Sequence, residues 1–330
     1  MSTPDAPLPH EAVARATEWR RRPERGSRTL LGLMAAISLR LGRPFGRVLL
    51  RGIGAYYFLF APGPARHMRA YLRRSLAREP RARDRLRLIM SFASTIHDRL
   101  YWLSGRDELF EVTVEGEDMI RAVVKRGGAF LMGAHMGSFE VLRAVGRRRS
   151  GFEVAIAMYE DNARKLNAIL AAVAVKDPPE IIAVGHLDSM LQIRERLARG
   201  MLVGVLADRL FAQEPSLPIS FLGATARLPT SPMRAAAMLK CRVVFMLGLY
   251  RGGNRYHVVF EPLADFSTTR AEERQAAVEA AVARYAALLE HHCRLDPYNW
   301  FNFFDFWGGG AGINAGTSPD PASPGPVQLG

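Results

Sequence analysis

Residues 127–140 read Gly-Gly-Ala-Phe-Leu-Met-Gly-Ala-His-Met-Gly-Ser-Phe-Glu, so an imidazole, His135, stands among glycines and a carboxylate, Glu140, follows five positions later. A histidine and an acid in one site can share general base catalysis. The carboxylate fixes the tautomer and stabilises the imidazolium, while the other ring nitrogen takes a proton from a hydroxyl. On one continuous helix, five positions separate two side chains by roughly 140° at about 3.6 residues per turn. The pair meets only if His135 lies in a loop or irregular first turn that folds back over the helix start, and Gly133 and Gly137 give the backbone that freedom. The same spacing also fits a loop histidine satisfied elsewhere, next to an acid favoured by a helix N-terminus.

The elements around this stretch suit such a site. Segment 129–132 is apolar, follows two glycines and is too short for a helix, so it reads as a buried strand of a parallel sheet. From Ser138 onward, Phe139, Val141, Leu142 and Val145 take helical spacing. His135 is thereby placed in a strand-to-helix connection, where open α/β sheets gather ligand groups. Further strands are expected at 110–114, 152–158, 180–184, 201–207, 242–249 and 256–261. Helices are expected at 118–125, 162–174 and 187–198, from Thr230 or Ser231 as cap to Lys240, and over 271–293 with Val278, Val282, Tyr285, Leu288 and Leu289 on one side. The fold class is therefore α/β, with a mainly parallel central sheet flanked by helices. Phe221-Leu222-Gly223 marks a hairpin excursion within 217–228, and Gly252-Gly253-Asn254 turns between the last two strands. Asp208-Arg209 ends the strand at 201–207, again at the edge where ligand groups collect, although a structural ion pair fits there equally well.

With 330 residues, 48% of them hydrophobic, the chain can bury one large α/β domain plus appendages. Net charge is +13, and almost all of the 45 basic side chains are arginine, which suits phosphate or carboxylate partners. The charge also fits a non-catalytic basic module binding anionic lipid membranes, which gives no reason for a histidine and a carboxylate at a sheet edge. Nucleic acid is not expected as a partner, since no recognition motif is present and the arginines are spread among apolar residues. Cys241 and Cys293 are far apart, without disulfide or zinc spacing, and the adjacent His291-His292-Cys293 reads as a structural helix end. No phosphate-binding loop, dinucleotide fingerprint, nucleophile elbow or metal helix is visible, so no cofactor and no metal are expected.

Residues 1–16 read as a flexible extension without the apolar core of a signal peptide. Residues 17–70 read as a basic, aromatic, membrane-associating helical region. It opens with a basic cluster at 19–28, and its apolar runs at 30–39 and 52–65 fall short of the roughly eighteen residues a spanning helix needs. Arg40, Arg43, Arg47 and Arg51 are expected to turn a basic face onto anionic lipid. Leu72 and Leu76 mark a short helix ended by Pro80. Leu86, Met90, Ile96 and Leu100 mark a longer one with arginines outside. The aromatic run at 297–307 reads as a cap over the core, or else an acyl-chain or membrane-facing surface. From 308 the composition is that of a disordered tail, leaving 71–307 as the main α/β domain.

These residues resemble the lipid A late acyltransferases of the lauroyl and myristoyl type, within the lysophospholipid acyltransferase superfamily. The resemblance is carried by His135 and Glu140 as an H-x-x-x-x-E element, Met158-Tyr159 with Asn162 after it, the strand end at Asp208, the Phe221-Leu222-Gly223-Ala224 turn and the aromatic segment with Trp300. The basic stretch at 19–26 and the aromatic ending look like the branch associated with aryl-polyene and specialised-lipid clusters. The chain departs from the glycerol-phosphate acyltransferases, having Ala134 before the histidine and no Phe-Pro-Glu-Gly stretch. The resemblance implies an acyltransferase that moves a fatty acyl chain, not an aminoacyl group, from an acyl-carrier-protein or coenzyme A thioester to a hydroxyl of a lipid or glycolipid. His135 would be the base and Glu140 its orienting acid. Asn162, Arg164, Asp208 and Arg209 are candidates for substrate binding or oxyanion stabilisation. The implied location is the cytoplasmic face of the inner membrane, peripheral or monotopic, against an anionic surface.

Overall fold

Short apolar segments pair into a seven-stranded sheet in the computed structural model, which describes residues 38–308 apart from 61, 147–150, 174–177, 186 and 211–213. The extension expected at 1–16, the basic cluster at 19–28 and all but the first residue of the expected tail lie outside the described residues. The strands are β1 (Glu111–Glu115), β2 (Ala129–Gly133), β3 (Val154–Tyr159), β4 (Glu180–Val184), β5 (Leu202–Leu206), β8 (Arg242–Tyr250) and β9 (Arg255–Asp265), in the order β1-β9-β8-β2-β5-β3-β4. Every neighbouring pair is parallel except β8 and β9. Gly252 and Gly253, both at positive φ, make the turn between those two strands. A separate hairpin joins β6 (Ser216–Phe221) to β7 (Ala224–Pro229), as the Phe-Leu-Gly turn leads one to expect.

Strand β2 lies inside the sheet and is buried along its whole length. Its side chains alternate between two cores: Phe130 and Met132 enter one hydrophobic cluster, Ala129 and Leu131 the other. Helices α4 (Glu117–Val124), α5 (Glu140–Val145), α6 (Glu160–Val173), α7 (Leu187–Ala198), α8 (Ser231–Met238) and α9 (Arg274–Leu295) alternate with the strands. Val278, Val282, Tyr285 and Leu289 of α9 are buried, with Leu288 packed at the margin. Thr230 precedes α8 but makes no side-chain cap, because its hydroxyl donates to the Pro215 carbonyl instead.

The helices before the sheet depart from their expected faces. In α3 (Ala82–Leu103), Leu86 and Ile96 are exposed, while Leu88, Ile89, Asp98, Tyr101 and Trp102 are buried. Apolar periodicity misses this face because it contains a carboxylate. Asp98 is sealed from water and accepts from Arg43 Nε at 2.7 Å, Arg47 Nη2 at 2.6 Å and the Tyr256 hydroxyl at 2.8 Å. Arg43 and Arg47 belong to α1 (Arg43–Phe60), so two of the arginines expected against anionic lipid turn inward. The outward stripe of α1 is apolar. Phe45, Val48, Leu49, Tyr56, Leu59 and Phe60 are between 49% and 68% exposed and fall within roughly 120° of the helix circumference. Helix α2 (Pro62–Ser75) links α1 to α3 and buries Met68, Tyr71 and Leu72. No helix among the described residues is long and apolar enough to cross a membrane.

Candidate active site

Strand β2 ends at Gly133 and α5 begins at Glu140, so His135 stands in the connection at the carboxyl edge of the sheet, as its spacing predicts. Gly137 takes φ of +75°, and a Cβ there would run into the Gly248 carbonyl of β8. Gly133 stays extended and serves by its small size, since a Cβ would meet Met246. The loop is pinned on two sides. Ser138 N donates to Gly248 O at 2.7 Å, Gly137 N donates to Asn299 O at 2.9 Å, and His135 O accepts from Phe301 N at 2.8 Å. Asn299 is in turn tied to β8, its Oδ1 accepting from Tyr250 N and its Nδ2 donating to Tyr250 O. The aromatic segment at 297–307 is thus a cap, with Trp300 and Phe301 buried and the rings of Tyr71, Phe92 and Phe221 against it.

The carboxylate that meets His135 is Asp208, just beyond β5, the strand parallel to β2. His135 Nδ1 lies 2.8 Å from Asp208 Oδ1, and His135 N and Trp300 Nε1 donate to Asp208 Oδ2 at 3.1 and 2.9 Å. Burial alone would raise the Asp208 pKa. The His135 ring, the Arg209 charge and the Trp300 donor outweigh burial and hold it at about 2. Asp208 is therefore an acceptor only, so Nδ1 carries the proton and Nε2 keeps its lone pair. Nε2 has no hydrogen-bond partner among the described residues, and 31% of the side-chain surface is open. Loss of water around the ring nevertheless pushes the His135 pKa down, helped by Arg209 and Arg99 and opposed by Asp208. An imidazole that is neutral at neutral pH, oriented by an ionised acid and open at Nε2, can accept a proton from a hydroxyl.

Glu140 is not the partner of His135. Its Oε1 pairs with Arg99 Nε of α3 at 2.5 Å and its Oε2 accepts from the Ser138 hydroxyl at 2.9 Å, which ties the loop to α3.

A family model described as bacterial lipid A biosynthesis acyltransferase matches residues 31–307. The chain belongs to that family. Comparison with curated proteins finds no match. The matched span covers the whole sheet, the His135 loop, Asp208 and the aromatic cap of this lipid A-type acyltransferase.

Of the other residues singled out by sequence, Arg209 follows Asp208 at the same edge and stacks over Phe304, its carbon 5.5 Å from the ring centre. Asn162 and Arg164 lie in the first turns of α6, two strands along the same edge, where both are exposed. Sequence reasoning missed Arg99 and Ser138 and gave Trp300 no role at the carboxylate. A concavity of about 440 Å³ lined by Glu111, Thr113, Arg251, Arg255 and Tyr256 lies beyond β8 along the sheet and does not include His135.

Proposed function

We propose that this lipid A-type acyltransferase moves a fatty acyl chain from the thioester of an acyl carrier protein or coenzyme A to a hydroxyl of a lipid or glycolipid, His135 acting as general base. The observation that carries this reading is the Nδ1 contact with Asp208, which leaves Nε2 the nitrogen aimed at substrate. In the reaction Nε2 takes the hydroxyl proton, the acceptor oxygen attacks the thioester carbon, and the leaving thiolate takes that proton back from the imidazolium. Asp208 orients the ring and stabilises its charged form. Glu140 is a positioning residue that, through Ser138, fixes the loop carrying His135 and neutralises Arg99 beside it.

Work at the inner face of a membrane suits the outward stripe of α1, which has no protein partner among the described residues, and the exposed Arg40 and Arg51 close to it. Mass spectrometry of lipids from cells making the wild-type chain or His135→Ala tests the reading. An acylated lipid present with wild type and absent with the variant is expected. A variant with near-native turnover overturns it.

A further inference from the structure

Arg209 follows Asp208 where β5 ends, beside the strand that delivers His135. Its guanidinium makes no hydrogen bond or ion pair with any described residue, and it lies over the face of Phe304. A guanidinium lying on a ring keeps its N–H edges free. Burial pushes its pKa down, with only the Asp208 charge opposing. A half-buried cation with open N–H edges can receive a negative charge that forms beside it.

We propose that Arg209 donates to the thioester carbonyl oxygen as that oxygen becomes an oxyanion beside His135. The proposal rests on the reading of His135 as the base. Two other side-chain donors among the described residues are engaged or sealed: Arg99 is held by Glu140, and the Asn302 amide nitrogen, though unpartnered, is cut off from solvent. Arg164 has an interaction of its own and is exposed on α6.

Charge counting leads to the same residue. At rest Asp208 and Glu140 balance Arg99 and Arg209 around a neutral imidazole. When the acceptor oxygen bonds to the carbonyl carbon, the π pair moves onto the carbonyl oxygen and the hydroxyl proton moves to Nε2. The cluster gains one imidazolium and one oxyanion, and its sum does not change. Collapse restores the C=O bond, breaks the C–S bond and returns the proton to the thiolate. A guanidinium that is vacant until charge develops lowers the barrier without tightening ground-state binding.

The test uses the full chain with Arg209→Gln and Arg209→Lys, dodecanoyl-coenzyme A or dodecanoyl carrier protein as donor and a total bacterial lipid extract as acceptor. Arg209→Gln is expected to lower kcat on the order of 10²–10³-fold with donor KM nearly unchanged. The acid limb of kcat/KM should move to higher pH as a repulsive charge leaves His135, and added guanidinium should restore part of the rate. Arg209→Lys should be intermediate, and it decides the matter if the Gln variant does not fold. A kcat that survives, or a loss confined to KM, overturns the assignment. His135→Ala run alongside separates the two claims. If it is dead while Arg209→Gln is near native, only the Arg209 role falls, whereas an active His135→Ala removes the base on which that role depends.

Discussion

Asp208 and His135, 73 positions apart in the chain, meet through two bonds to one carboxylate: the imidazole Nδ1 reaches Oδ1 at 2.8 Å and the backbone N–H of the same residue reaches Oδ2 at 3.1 Å. The acid therefore holds both the ring and the loop. Asp208→Asn keeps the size but loses the negative charge that stabilises the imidazolium, and it can present an N–H where the ring needs an acceptor. Transfer should fall on the order of 10²–10⁴-fold. Glu140→Gln should cost about tenfold, or about 1.4 kcal/mol, by leaving Arg99 unpaired near His135. Adding Arg99→Gln should recover much of the Glu140→Gln loss and none of the Asp208→Asn loss. Equal losses in both single variants, with no recovery in either double, would contradict this division of roles.

The proposed role of His135 as base requires its neutral form, and its folded pKa lies below the ordinary 6.5, first through burial and then through Arg209 and Arg99. A lowered pKa means that the neutral ring is the majority form at pH 6.5. The acid limb of kcat/KM should therefore have its midpoint below 6.5, with activity rising through it and level at neutral pH. A midpoint above 6.5 would show that Asp208 governs the ring more strongly than burial does.

Most of the sheet and the position of His135 are legible in the sequence because they depend on local signals. A short apolar run between glycines is a strand, and Gly137 marks a turn that a side chain cannot make. The partner of His135 is not legible in that way. Asp208 comes to the ring through the pairing of β2 with β5, a long-range register that no local spacing encodes, whereas Glu140 is close in sequence and diverges once α5 begins. The inner face of α3 is hidden for a related reason. Asp98 looks like a surface residue until Arg43 and Arg47 are brought to it.

That carboxylate fastens α1 to the body of the protein. Asp98 is fully buried, and its two arginine partners are only 15% and 18% exposed. Removing one member of a buried ion pair leaves the others charged and unpaired, at about 3–5 kcal/mol. Asp98→Ala should lower stability by that amount in urea unfolding followed by circular dichroism. A change under about 1 kcal/mol would mean that α1 is held by its apolar contacts alone.

The outward stripe of α1 is the surface through which lipid would be met. Val48→Glu with Leu59→Glu places two charges in its middle without touching the inward arginines. Wild type should float with vesicles of phosphatidylethanolamine and phosphatidylglycerol, and the double variant should remain in the soluble fraction with its fold unchanged. If both float alike, the stripe is not what holds the protein to the bilayer.

Trp300 supports the site from beneath. Its indole N–H donates to Asp208 Oδ2 at 2.9 Å, and its ring is wedged between Tyr71 and Phe306, each 4.9 Å away centre to centre. Trp300→Phe keeps most of the wedge and deletes the donor, which removes a charge-assisted bond of about 1.5–3 kcal/mol. The sign follows from Asp208, whose folded pKa of about 2 lies below the ordinary 3.8. Its ionised form contributes stability that is present above 3.8 and lost as pH falls through about 2. Without the indole donor the folded pKa rises toward 3.8 and that contribution shrinks. Trp300→Phe should therefore be less stable than wild type at pH 6, with the gap closing near pH 2. A gap that is constant with pH would assign the loss to packing, and the Asp208 bond would then contribute nothing to the fold.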